Sequence, residues 1–296
     1  SPVGPLPAVM PGCELLAGDE PTVREALARQ AAGPAAFDLT ADCQEGAPPG
    51  REAEHAAMLG ALIAKDGGRH GRVGLRIHDS SHRSWHGDLE IVIRAAGDRL
   101  AYLTVPRVDG LAGLERVVSA IDDVALQCGV RRQFPVHVQI ETHGGLAAAE
   151  ALAAHPRVQC VGFELSGYLA GFQGALPETL LRSPAQFEHP LLVQAKARVS
   201  AAAHAAGKVA GHPACLNVGD PEQAYRDASR ARDDFGFTRV ACLTPAQIEP
   251  VARALRPNPT LVAEACALLM AARARDWQPV IVDGHRLDHG QYRYWW

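Results

Sequence analysis

The sequence predicts an α/β fold, a (β/α)8 TIM barrel with an extra C-terminal helix and tail. Three observations lead there. Strand-like apolar runs and helical patterns alternate eight times within about 250 residues, the arithmetic of such a barrel. The stretch Val138-Gln139-Ile140-Glu141-Thr142-His143-Gly144-Gly145 ends an apolar run on a carboxylate, then turns into an Ala-rich helix. A strand's C-terminal end is where chemistry sits in a barrel. Finally, no G-x-G-x-x-G or G-x-x-x-x-G-K-[ST] occurs, which weakens nucleotide-binding versions of the competing doubly wound sheet. Hydrophobic residues make up 47% and aromatics 5%, so the core must be mainly Ala, Leu and Val.

The elements follow in order. Leu6–Met10 reads as a first strand, stopped by Pro11-Gly12, and 21–30 as a helix with Pro21 in its first turn. Strand two is read at 35–39 and a helix at 52–64. Strand three spans 72–77. Asp88–Ala95 fits a strand by its apolar run and a helix by its position; the alternation favours helix. Strand four is 100–105, followed by a helix over 111–127. Strand five is 136–140, with a helix over 146–154, and strand six is 158–163. Residues 171–189 form the longest irregular stretch, a candidate lid. A helix over 191–206 ends at Gly207, and strand seven starts at 208–210. Asp220-Pro221-Glu222-Gln223 and Thr244-Pro245-Ala246-Gln247 read as capping boxes on either side of strand eight at 239–243. The second opens a helix to about Ala254. Residues 261–274 carry an apolar helical face, and an aromatic tail closes the chain. Such a tail is expected to dock, for instance on a neighbouring subunit. The expected division is a catalytic barrel over 1–256 and a helical extension over 257–296.

Composition narrows the partners. The net charge is −4, which argues against nucleic acid and anionic membranes, both of which need a basic face. No apolar run approaches the roughly 20 residues that span a bilayer. Seven cysteines without a C-x-x-C pair suggest reduced core thiols. With no basic-then-apolar leader visible, a cytoplasmic protein is expected. Lysines occur only at 65, 196 and 208. The first two fall on outer helices and the third at the wrong end of a strand, which argues against a lysine imine.

Several polar groups fall at or after the predicted strand ends: Asp38, Asp42, Glu45, Arg76, His78, Asp79, Arg107, Glu141, Glu164, His212 and Thr244. In a barrel these converge on one mouth. Carboxylates with arginines suit an anionic substrate gripped by Arg and a hard divalent cation held by oxygen. Such an ion would polarise a carbonyl and stabilise an enolate. Each residue also has a bland reading. Glu141 would cap a helix, Arg76 would pair structurally, Glu164 would be a solvated rim group, and Asp42 and Glu45 would order their loop. His212 reads as a polar loop residue and Thr244 as a cap. Cys43 is a site neighbour with nothing marking it as a nucleophile. His78, His82 and His86 share a four-residue spacing, but the intervening loop signals argue against zinc.

Seven short segments, in order along the chain, resemble the HpcH/HpaI aldolase and citrate lyase β-subunit-like family. Met10-Pro11-Gly12 resembles F-V-P-G; Asp42-Cys43-Gln44-Glu45-Gly46-Ala47 resembles D-L-E-D-[AGS]-V; Arg76-Ile77-His78 resembles R-[IV]-N. Val105-Pro106-Arg107 is similar to L-P-K, and Ile140-Glu141-Thr142 to I-E-T. Cys242-Leu243-Thr244-Pro245-Ala246-Gln247-Ile248 is similar to I-H-P-x-Q-I. Val282-Asp283-Gly284-His285 with Leu287-Asp288 resembles V-D-G-K-x-x-D. The resemblance implies a TIM barrel with C-terminal helical exchange, in trimers or hexamers. It implies a metal-dependent carbon–carbon lyase acting on a hydroxy acid, an oxo acid or an acyl-CoA thioester.

Roles carried over are these. Arg76 holds a carboxylate or carbonyl, Glu141 is a magnesium ligand, and Asp283 is an acid/base that can reach a neighbour's site. Asp42 and Glu45 would order metal-bound water, and Arg107, Thr142 and His212 would contact substrate. The sequence departs from the pattern in the family's F-G-x-x-D segment. Phe163-Glu164-Leu165-Ser166-Gly167 puts Gly167 where the second metal-binding Asp is usual and Glu164 where Gly is usual. Glu164 is therefore the expected replacement ligand. His212, Arg107 and Thr244 replace the usual Asp, Lys and His. The rival readings are a thioesterase on the same barrel and a non-catalytic binding protein.

Overall fold

The computed structural model describes residues 9–33, 36–67, 71–282 and 284–296. The chain divides into two compact units, Ala8–Leu255 and a second that includes Arg256–Trp296.

The larger unit is a closed barrel of eight parallel strands in chain order. These are β1 Cys13–Ala17, β2 Phe37–Asp42, β3 Val73–Arg76, β4 Leu103–Val105, β5 Val136–Ile140, β6 Val158–Phe163, β7 Val209–His212 and β8 Arg239–Cys242. β8 pairs with β1 through Cys13↔Val240 and Leu15↔Cys242, which closes the ring. Helices on the outside cover the strands' outward faces. Leu111–Gln127 shows how: its apolar residues recur at helical spacing, and Leu114, Val117, Ile121 and Val124 are all buried. Each fully buried aliphatic side chain contributes about 1.5–3 kcal/mol. Asp88–Ala95 lies within a helix, Trp85–Ala96.

The inside of the barrel is polar, and this moved the strand boundaries from where an apolar reading puts them. The first strand is Cys13–Ala17, interrupted by the inward-facing Glu14, rather than a strand over 6–10; of that expected strand, Val9 and Met10 are not in strand and the rest lies outside the described residues. The second runs on to Asp42 because Asp38, Thr40 and Asp42 alternate inward along it. Asp38 is therefore deep in the barrel and not at its mouth. Glu14, Thr40, Tyr102 and Arg239 form one hydrogen-bonded network there. Gly74 makes room for it: a Cβ at that position would fall 2.1 Å from the Tyr102 ring.

Other differences are local. The helix expected over 146–154 is broken into His143–Ala147 and Ala149–Ala154. The 171–189 stretch contains two short 3-10 turns, Glu178–Leu181 and Ala185–Phe187. The turn after β8 is also 3-10, Pro245–Gln247, with the Gln247 side-chain oxygen Oε1 accepting from the Leu243 and Thr244 N–H groups.

The smaller unit has its own core of Ala272, Val280, Leu287 and Tyr292, with Leu268, Leu269, Trp277 and Val282 packed against it. The Tyr292 hydroxyl donates to the carbonyls of Gln278 and Leu287. Helix Pro259–Ala274 buries only Ala272 and exposes Leu261, Val262 and Met270. Of the aromatic tail, Tyr292 is buried while Tyr294 and Trp296 are exposed.

Candidate active site

A cavity of about 620 Å³ opens at the C-terminal ends of the strands and reaches down into the barrel. It collects Asp42, Glu45, Arg76, Glu141, Glu164 and His212, six of the residues singled out from the sequence.

Arg76 is the last residue of β3, beside the last residue of β2, and this places it against Asp42. Its Nε donates to Asp42 Oδ1 at 2.8 Å and its Nη2 to Oδ2 at 2.5 Å, a forked pair. Burial opposes its charge, but Asp42, with Glu45 and Glu141 behind it, more than offsets this and moves its pKa upward. Asp42 also caps the short helix Cys43–Gly46 by accepting from the Gln44 N–H. Glu45 is mostly exposed and stands 3.9 Å from Arg76 Nη2.

Glu141 follows β5 directly and is buried. Burial, then the charge of Glu164, pushes its carboxyl up to about 7, against the Arg107 backbone N–H and the Arg76 and Arg107 charges. Glu164 follows β6 and caps helix Leu165–Ala170, accepting from the Ser166 and Gly167 N–H groups at 3.2 and 2.8 Å. Gly167 lets these two carboxylates share the space: a Cβ there would lie 2.8 Å from Glu141 Oε2.

His212 is the last residue of β7 and is buried, rather than being a loop residue. Its Nδ1 donates to the Pro213 carbonyl at 2.8 Å, and its Nε2 has no partner among the described residues. Burial, then Lys196, depresses its pKa well below the usual range, so the ring is neutral with Nε2 an acceptor. Its ring stacks on Phe187 at 5.3 Å.

Two expected contacts, those of Arg107 and Thr142, fall elsewhere. Arg107 is exposed, at φ 53°, and contributes its backbone N–H to Glu141; its side chain is not among the groups lining the cavity. Thr142 caps helix His143–Ala147, accepting from the Gly145 N–H and donating to Asp109, and does not line the cavity. Asp283 lies outside the described residues. His78 and His82 stack on each other while His78 Nδ1 bonds Asp88 at 2.7 Å. The Cys43 thiol is buried, and burial, then Asp88 and Asp42, raises its pKa well above normal. None of the three lysines lines the cavity. Lys196 is buried on an outer helix over the Phe187 ring, its pKa lowered to about 7 by that burial.

The cavity also has walls that went unnoticed in the sequence: Glu14, Gln44, Thr104, His137, Gln139, Cys160 and Arg239. The only available signal was a polar residue recurring at every second position of the strands.

The donor set bears on a divalent ion. Among the described residues no three His, Cys, Asp or Glu side chains converge as a metal cage. Two carboxylates do come close, and the Glu141 carboxyl is raised first by its burial and then by the Glu164 charge. A cation relieves the repulsion between them, and Mg²⁺ is commonly held by one or two carboxylates plus water and substrate. The residues therefore fit such an ion without enclosing it.

A parallel barrel with carboxylates and a paired arginine at its mouth is the kind of site that carbon–carbon lyases of this fold use. Residues 54–245 match the HpcH/HpaI aldolase/citrate lyase family, and the chain belongs to that family. A citrate lyase from Burkholderia xenovorans LB400 is 39% identical, superposes with a TM-score of 0.89, and is matched over 100% of this chain and 92% of its own. An L-malyl-CoA/beta-methylmalyl-CoA lyase of Cereibacter sphaeroides is 25% identical, over 96% of this chain and 92% of its own. CitE of Mycobacterium tuberculosis, solved with magnesium, acetoacetate and coenzyme A, shares the fold at 19% identity and a TM-score of 0.68, over 97% of each chain. Among the described residues no helix is long and apolar enough to cross a membrane.

Proposed function

We propose that the protein cleaves or forms a carbon–carbon bond next to a carbonyl, on a hydroxy acid, an oxo acid or its acyl-CoA thioester. The observation that carries this reading is the convergence of Arg76, Glu141 and Glu164 on one cavity. Arg76, held in a fixed plane by Asp42, offers the substrate carboxylate or carbonyl a permanent positive charge. Glu141 and Glu164 are the residues that would hold Mg²⁺ or Mn²⁺. The bound ion would supply Lewis-acid stabilisation of an enolate. Asp42 and Glu45 keep the rim polar and orient water. His212 Nε2 accepts a hydrogen bond from substrate. Asp283 moves a proton, on the strength of its sequence motif. Magnesium on the M. tuberculosis relative supports the metal, and the acyl-CoA relative supports the substrate range.

The test is product analysis with Mg²⁺ and a panel of hydroxy acids and hydroxyacyl thioesters. An aldehyde or oxo acid is expected; free thiol plus acid would mean hydrolysis instead. Glu141→Gln is expected to lower turnover at least about 100-fold, the scale of one removed electrostatic contact to the transition state. Unchanged turnover removes Glu141 from the mechanism. Absence of Mg²⁺ and Mn²⁺ binding by calorimetry, with and without 2-oxo acids, would sink the metal reading.

The exposed apolar residues of helix Pro259–Ala274 are part of the same proposal. They support a homo-oligomer, a trimer or hexamer, with the extension packed on a neighbouring subunit. Light scattering on Leu261→Glu/Met270→Glu is expected to give a smaller particle than the wild type. An unchanged mass would overturn this part alone.

A further inference from the structure

The wall of the cavity below Arg76 is built in register. Asp42 pairs with Arg76, Arg76 with Thr104, Thr104 with His137, and His137 with Cys160, each on the next strand. Neighbouring strands lie about 4.8 Å apart, so Thr104 stands directly beside Arg76 and His137 one step further. All five line the cavity. Barrel interiors are normally filled by bulky aliphatic side chains. Here β6 has Gly162 and β7 has Gly211 facing the same space. A Cβ at Gly162 would meet nothing closer than 3.6 Å, so the glycine keeps a gap open instead of avoiding a clash.

Polar atoms on this wall lack partners among the described residues: Thr104 Oγ1, His137 Nδ1 and Gln139 Oε1. His137 Nε2 lies 3.3 Å from Gln159 Oε1, which makes Nε2 the donor and leaves Nδ1 an acceptor. Burial, then Arg239, lowers the His137 pKa to about 3, so the ring stays neutral. Among the described residues the one cation at this depth is already engaged. Arg239 donates to Glu14, Pro11, Asp38 and Tyr102. A carboxylate placed here would face Glu14 with no cation to meet it, and an alkyl arm would leave the polar atoms unpaired.

We propose that Thr104, His137 and Gln139 form a subsite inside the barrel that takes a neutral, hydroxyl-bearing arm of the substrate, whose acid end is held by Arg76. This rests on the carboxylate-binding role given to Arg76 above. The arm donates hydrogen bonds to His137 Nδ1 and Gln139 Oε1, and the Thr104 hydroxyl bonds it beside Arg76. The subsite selects polyhydroxy acids over deoxy acids and over dicarboxylates.

Calorimetry with Mg²⁺ present tests it, using 2,3,4-trihydroxybutanoate, 2-hydroxybutanoate and malate. The trihydroxy acid is expected to bind about tenfold more tightly than 2-hydroxybutanoate, the scale of one or two net hydrogen bonds, and more tightly than malate. Thr104→Val and His137→Phe are each expected to bring the first ratio within about twofold. The Phe ring keeps the stack on Tyr102, 3.8 Å away in the wild type. If His137→Phe does not fold, Thr104→Val carries the test. Equal affinities, tightest binding of malate, or an unchanged ratio in the variants overturns the subsite and leaves the lyase reading standing. If none of the three acids binds, the role of Arg76 falls and the subsite with it.

Discussion

Two arginine–carboxylate clusters use the same face of β2, four residues apart, and they differ in what they leave free. The upper one joins Asp42 to Arg76, with Glu45 at 3.9 Å and 70% exposed. The lower one joins Asp38 to Arg239, with Glu14 at 3.2 Å and 15% exposed. Arg239 spends its donors on protein atoms: Glu14, the Pro11 carbonyl, Asp38 and the Tyr102 hydroxyl. Burial would raise the Glu14 pKa, but the Arg239 charge and the hydrogen bonds from Thr40 and Arg239 outweigh it and hold the carboxyl below its usual range. Arg76 bonds one carboxylate and keeps a side toward the cavity. The same pair of residue types thus makes a closed joint at one level and an open binding group at the next. What separates them is the number of protein acceptors around the guanidinium.

If that difference is real, removing each arginine should break a different property. Arg239→Met leaves Asp38 and Glu14 buried without their shared guanidinium, with only Arg72 at 3.7 Å from Asp38 and the Thr40 hydroxyl on Glu14, and is expected to cost about 3–5 kcal/mol of stability, read by urea unfolding. A loss under 1 kcal/mol would mean the lower cluster is not a structural joint. Arg76→Met should instead act on binding. Losing a charged hydrogen bond to substrate is worth about 1.5–3 kcal/mol, about 10- to 150-fold in affinity for a small 2-hydroxy acid, in addition to the stability lost when Asp42 keeps only the Gln44 N–H. Were Arg76→Met to unfold the protein while binding in the surviving fraction held, the two clusters would be alike.

The pH dependence sharpens the upper level further. Glu141 titrates at about 7 in the folded chain, against an unfolded value near 4.5. Between those values the folded state binds more protons than the unfolded one, so stability falls as pH rises. The contribution is full below about pH 4.5, is lost through about pH 7, and amounts to about 3 kcal/mol, about 2.5 pH units at about 1.4 kcal/mol each. In metal-free protein, the wild-type stability should therefore drop across this window relative to Glu141→Gln. Parallel curves would mean that the carboxyl is not desolvated as the structure has it.

The contrast also explains what the sequence disclosed. The helix at 111–127 and the strands at 136–140 and 158–163 were legible with their observed bounds, because apolar residues recur at each element's own period and the polar residues between them on the strands, His137, Gln139 and Gln159, are uncharged. β1 and β2 were not, because Glu14, Asp38, Thr40 and Asp42 point into the barrel and break the apolar run that a strand is read from. The same inward polarity hid Thr104, His137 and Arg239, each of which looks like an outward surface residue when neighbours across the sheet are unknown. Arg76, Glu141 and Glu164 were found because they sit at strand ends, where position alone is informative. Thr142 was assigned to substrate through the resemblance of its Ile140-Glu141-Thr142 segment, but its hydroxyl caps the next helix and bonds Asp109. Chain adjacency to a site residue does not fix where a side chain points.

The smallest expected effect separates the outer carboxylates of the two clusters. Glu45→Gln removes an exposed charge 3.9 Å from a guanidinium that Asp42 already satisfies. Exposed pairs contribute at most about 1 kcal/mol, so unfolding free energy should move by less than that. Binding of a 2-hydroxy acid should change less than about fivefold and should do so more at low salt than at high. Glu14 differs because its neighbours are Arg239 and Thr40 inside the barrel and water cannot replace the lost oxygen's bonds. A Glu45→Gln variant as damaging as Arg76→Met would place Glu45 on the substrate itself. The open side of Arg76 would then be a two-residue grip in which Glu45 shares.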